Sequence, residues 1–118
     1  MTDHGGFAAE YLVRRAEWEK DGTKVKIIGV CDSSCTLYLA LPRDQVCVSK
    51  SAWLGFHAPT TNNLLEGLPG TATMKRQIYD VFWNGYSAQL QGRLGSLTAD
   101  LQYIRGRDLF PVIAECTP

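Results

Sequence analysis

An excess of charge of one sign is the first thing this chain lacks. Twelve Lys and Arg offset twelve Asp and Glu across 118 residues, for zero formal charge and a pI near 6.7. With no basic stripe to neutralise phosphates or hold an anionic membrane, neither nucleic acid nor a membrane surface is expected as a partner. Long apolar runs are missing too. The longest, Leu37–Pro42 and Trp53–Phe56, fall well short of the roughly 18 residues needed to span a bilayer. Residues 1–20 have no apolar middle segment of a signal peptide, because Glu10, Arg14, Arg15, Glu17 and Glu19 interrupt it. For an exported protein the leader would lie outside this chain. There is no internal repeat or low-complexity segment, and histidine is scarce, with His4 and His57 alone. What is present suits one domain: 45% hydrophobic residues in a chain near the common domain length, enough to build a core.

Apolar spacing then divides the chain. Phe7, Tyr11, Leu12 and Trp18 recur at roughly helical intervals among charged residues, which predicts an amphipathic helix from Phe7 to Lys20, ended by Asp21–Gly22. Lys24–Gly29 alternates as a strand with one covered face and runs into the polar knot Cys31-Asp32-Ser33-Ser34-Cys35. Thr36–Leu41 reads as a buried helix stopped by Pro42. Gln45–Ser49 and Ala52–His57 read as two strands, the second ended by Ala58–Pro59. Residues 60–71, rich in Asn, Gly and Pro, form a connector long enough to be a lid or substrate loop. Helical spacing returns from Ala72 to about Leu94, weakened by Gly85, before short terminal elements at Leu97–Arg105 and Leu109–Ala114.

The strand-to-helix turn at Cys31–Cys35 is the place where chemistry is most expected. A serine presented at a helix start meets free N–H groups and a positive dipole end that favour a developing oxyanion, which makes Ser33 the candidate nucleophile. Its hydroxyl needs a base. Of the two histidines His57 is the better placed, at the end of a strand, and Asp100 or Asp108 could return from the C-terminal segment to orient it. Plainer roles stand beside these: Ser33 or Ser34 as a helix cap, His57 as a hydrogen-bonded half-buried ring, Gly5–Gly6 as turn residues, and both aspartates as solvated surface groups.

Gly29-Val30-Cys31-Asp32-Ser33-Ser34-Cys35, followed 24 residues after Ser33 by Leu54-Gly55-Phe56-His57-Ala58-Pro59, resembles the Clp protease proteolytic subunit superfamily, in particular its small cysteine-containing members predicted to be periplasmic. The resemblance covers about residues 3–60. It implies an α/β ClpP/crotonase-like fold of layered strand-helix units, here N-terminally shortened, because family members carry a further strand-helix-strand portion before the Gly-Gly turn. A sheet that starts incomplete leaves an edge for another chain to cover. The resemblance also implies a serine hydrolase acting on peptides or esters, with Ser33 as nucleophile, His57 as base and Asp100, just ahead of Leu101-Gln102-Tyr103-Ile104, as the acid in preference to Asp108. Asp3-His4-Gly5-Gly6 resembles the family's Gly-Gly turn, which carries the oxyanion hole to the amides of Gly5 and Ser34. Ser34 stands where the family has a small apolar residue. No cofactor and no metal are implied, the location is periplasmic or secreted, and assembly into a homo-oligomer is expected. The alternative on the same fold is a non-catalytic binding or assembly protein, with the 60–71 loop gripping a partner.

Four cysteines, Cys31, Cys35, Cys47 and Cys116, suit two disulfides and an oxidising compartment. Because Cys31 and Cys35 flank the proposed nucleophile, each is expected to bond to Cys47 or Cys116, pinning the turn to the body of the fold. The competing readings are four buried thiols, or a zinc site of Cys31, Cys35, Cys47 and His57, which lacks the paired spacing of zinc ribbons.

Overall fold

The computed structural model describes residues 2–58, 72–110 and 112–116. The expected connector at 60–71 lies outside them. Helix α1 (Ala8–Asp21) leads to β1 (Val25–Ile27) and β2 (Val30–Asp32), then to a 3-10 helical segment (Ser33–Ala40), β3 (Val46–Val48) and β4 (Trp53–Phe56). Helices α2 (Ala72–Asn84) and α3 (Ala88–Leu94) follow, then β5 (Gln102–Arg105), a short 3-10 turn (Gly106–Leu109) and β6 (Ala114–Glu115). The result is a small mixed α/β globule with two three-stranded sheets, ordered β1-β3-β6 and β2-β4-β5.

Three sequence expectations need correction. The strand over Lys24–Gly29 is two strands in different sheets: Val25 and Ile27 turn into the core beside β3, Ile28 is exposed at the crossing, and β2 begins at Val30. A single alternating pattern cannot reveal that a chain changes sheet between two residues. The helix expected over Thr36–Leu41 starts at Ser33 and winds as a 3-10 helix. Its first turn is tightened where the Thr36 hydroxyl donates to the Ser33 carbonyl at 2.6 Å. The long helix over 72–94 breaks at Gly85–Ser87, because the Ser87 side chain accepts the Leu90 N–H and caps a new helix.

Helix α1 follows the sequence pattern closely and is closed by Gly22, whose N–H reaches the Trp18 carbonyl. Tyr11 and Trp18 pack their rings against Tyr38 of the 3-10 segment, while Arg14 donates to the Tyr38 hydroxyl and Arg15 to the Leu37 carbonyl. Tyr38, Leu37, Leu54, Phe56 and Phe82 are fully buried and form the centre of the core. The two faces of the β2-β4-β5 sheet differ. Cys31, Leu54 and Phe56 point into the core at 0% exposure, whereas Trp53 and Tyr103 on the opposite face are 38% and 50% exposed.

The cysteines form Cys31–Cys35 and Cys47–Cys116 disulfides, so the expected exchange of partners between the two pairs is wrong. Strand β3 lies beside β6 in parallel, with Cys47 aligned to Ala114, which brings Cys116 rather than either turn cysteine to Cys47. With all four sulfurs in disulfides, no thiolate is left for the zinc site weighed above.

Candidate active site

Strand β2 delivers Asp32 in extended conformation and the chain then reverses hand at Ser33, whose φ of +53° is the one positive value at a non-glycine among the described residues. An L-residue held there costs about 1–2 kcal/mol, a strain that surrounding structure has to maintain. The Cys31–Cys35 disulfide brackets this residue on both sides. Ser33 is itself 8% exposed, at the junction where the parallel strand becomes the 3-10 helix.

The N-terminal segment lies against this junction. Asp3 bridges the free edge of β2, its N–H donating to the Val30 carbonyl at 2.7 Å and its carbonyl accepting the Asp32 N–H at 2.9 Å. Gly5 follows at a φ of +92°, and a Cβ there would stand 3.0 Å from both the Ser33 Cβ and the Asp32 carbonyl, and 3.4 Å from the Ser34 nitrogen. Only glycine combines that handedness with that closeness. The Gly5 N–H donates to the Asp3 carboxylate at 2.7 Å, so Asp3 holds the amide that the resemblance assigns to an oxyanion hole. The Ser34 hydroxyl donates to the Gly6 carbonyl at 2.6 Å and ties the turn to the same segment. The Asp3 carboxylate also accepts the Tyr11 hydroxyl at 2.6 Å. Burial, with the Asp3 hydrogen bond and charge adding to it, pushes the Tyr11 phenol well above its ordinary range.

His57 stands one residue beyond β4. Because β4 pairs with β2 in parallel, Asp32 beside Gly55, the serine turn and the histidine leave the same end of adjacent strands. The His57 Nδ1 lies 2.7 Å from the Ala58 carbonyl, which can only accept, so Nδ1 is the donor in this contact. Among the described residues no hydrogen bond joins His57 to Ser33. Strand β5 pairs antiparallel to β4, Phe56 opposite Gln102, so Asp100 precedes β5 at the His57 end, while Asp108 follows it at the far end. That topology separates two aspartates that spacing alone could not. Asp100 is exposed, and its carbonyl accepts the Thr98 hydroxyl. No hydrogen bond runs between Asp100 and His57 among the described residues.

No protein-family model and no curated protein matches the chain. The site therefore rests on its own geometry. One part of that geometry was missed in the sequence: Asp32. Its carboxylate lies 3.3 Å from the His4 Nδ1 on the sheet's open face, and its Oδ1 occupies the space over Gly55 that a Cβ would need. An aspartate closing an otherwise apolar strand is a signal that sequence reading could have used. A larger cleft of about 490 Å³, lined by Arg15, Leu41, Arg43, Tyr86 and Val112 among others, includes neither Ser33 nor His57.

Proposed function

We propose that this protein is a serine hydrolase of the Clp type on a ClpP/crotonase-like fold, cleaving peptides or esters by acyl transfer. One observation carries the reading: a serine in a left-handed turn between a strand and a helix, at the same end of neighbouring parallel strands as a histidine whose Nε2 makes no hydrogen bond among the described residues. A strained serine at such a turn is one way a nucleophile is exposed to its substrate. In the mechanism His57 Nε2 takes the Ser33 proton as Oγ attacks the carbonyl. The same proton then passes to the leaving group, and water repeats the sequence to release the acid and restore Ser33. The Ser34 and Gly5 amides serve the oxyanion, the second once it turns from the Asp3 carboxylate. Asp100 is the acid in this reading and stands in for the Ala58 carbonyl at Nδ1 when substrate orders the site.

The two disulfides are compatible with an oxidising location, which supports a periplasmic or secreted protein. Assembly of copies along the sheet edge is part of the same proposal. A second reading, a non-catalytic binding protein on this fold, is favoured by the engagement of the Gly5 amide with Asp3. Fluorophosphonate labelling read by intact mass separates the two. Labelling of the wild type that vanishes in Ser33→Ala and in His57→Ala is the expected result. Folded wild type that takes no label, or Ser33→Ala that labels equally, would overturn the hydrolase.

A further inference from the structure

The open face of the β2-β4-β5 sheet carries a cleft of about 460 Å³ lined by His4, Val30, Asp32, Trp53 and Tyr103. Three features define its chemistry. Its walls are apolar and aromatic, Trp53 and Tyr103 meeting edge to face at 6.3 Å. Its floor holds a carboxylate, Asp32, whose Oδ1 is buried without a hydrogen-bond partner among the described residues, a costly condition for an acceptor and one that an arriving donor relieves. The Tyr103 ring edge reaches the same spot above Gly55, 3.0 Å from where a Cβ would be, so wall and carboxylate meet over that glycine. Moreover, the Trp53 ring already receives one cation, the Arg105 guanidinium, 4.3 Å from its centroid. Aromatic walls around a carboxylate with one oxygen unmet, the other lying 3.3 Å from the His4 Nδ1, select a long side chain with an apolar stem and a cationic donor tip.

We propose that this cleft receives a lysine or arginine side chain of a peptide substrate. The assignment rests on the hydrolase reading for its meaning, since Asp32 directly precedes Ser33, and a Cβ on Gly5, the residue after the rim residue His4, would stand 3.0 Å from the Ser33 Cβ. The cation's stem lies along Val30 and Tyr103, and its N–H groups donate to Asp32. Arg105 keeps the Trp53 ring.

The test uses two peptidyl diphenyl phosphonates that differ only in carrying lysine or norleucine beside the phosphorus. Their labelling rates at Ser33 are compared by intact mass. The lysine probe is expected to react about tenfold faster, the equivalent of about 1.4 kcal/mol. That ratio is expected to fall towards one in both Asp32→Asn, which keeps the shape of the floor, and Tyr103→Ala, which removes an exposed wall. Equal rates for the two probes in the wild type would overturn the cleft assignment and leave the hydrolase standing. If neither phosphonate labels, the hydrolase reading fails and the cleft is judged by binding. Pentalysine titrated into Ser33→Ala should then change tryptophan fluorescence saturably, an effect lost in Trp53→Phe and absent with pentaglutamate. No such change would overturn the cleft as well.

Discussion

The two disulfides hold regions of opposite character. Cys47–Cys116 joins residues 69 apart and closes the β1-β3-β6 sheet around the C-terminal strand. Cys31–Cys35 spans four residues and closes nothing larger than the serine turn. In the chain-entropy account, where a bridge stabilises by limiting the unfolded chain, the long loop is worth about 4 kcal/mol and the short one about 2. The first bridge therefore serves the fold, whereas the second serves the conformation of one residue. Stability and site geometry are maintained by different bonds.

That division can be broken experimentally. Replacing Cys47 and Cys116 together by serine should lower unfolding free energy by about 4 kcal/mol in urea titration, with Ser33 labelling preserved wherever the variant remains folded. Replacing Cys31 and Cys35 should cost about 2 kcal/mol yet reduce labelling far more, because the left-handed turn is no longer bracketed. Equal loss of labelling in both double variants would erase the contrast.

A pH titration sharpens it. Burial pushes the Tyr86 phenol well above its ordinary range, against a lowering effect of its hydrogen bond with Thr36 in the 3-10 segment. Above about pH 10 the unfolded tyrosine loses its proton and the folded one keeps it, so the folded state binds more protons there. The stabilisation is thus intact below pH 10 and declines above it, by up to about 1.4 kcal/mol per pH unit for this group. Hydrogen exchange followed upward from pH 9 should show residues 33–40 losing protection before residues 46–48. The smallest expected effect is a gain. Ser33→Gly relieves the left-handed strain and should stabilise the folded state by about 1 kcal/mol or less while removing the nucleophile. A measured loss of stability would show that the serine side chain contributes more than its backbone costs.

Local structure was legible in the sequence, and long-range placement was not. The amphipathic spacing of Tyr11 and Trp18 marks α1 correctly, and the strand expected before His57 is present, although it ends one residue earlier, at Phe56. The polar knot after an apolar strand locates the turn at Ser33, although nothing in residue identity announces its handedness. Gly85 weakens the helical pattern, but the break depends on Ser87 capping a second helix two residues later. Cysteine count indicates two bridges, while their partners depend on which strands lie side by side. Asp32 stood out as an aspartate closing an apolar strand, but the cleft around it did not, because its neighbours there, Trp53 and Tyr103, come from strands more than twenty and seventy residues away.

The attachment of Asp3 to the edge of β2 has a consequence for how the protein spends its time. Two backbone hydrogen bonds hold Asp3 there, and Gly5 depends on that hold for its place against Ser33. Such a short edge segment detaches at a small fraction of the free energy of global unfolding. The site proposed above is accordingly complete only while residues 3–5 are docked. Anything that fastens those residues, such as a bound peptide or a neighbouring strand, lengthens the fraction of time Gly5 spends against the Ser33 turn without altering either.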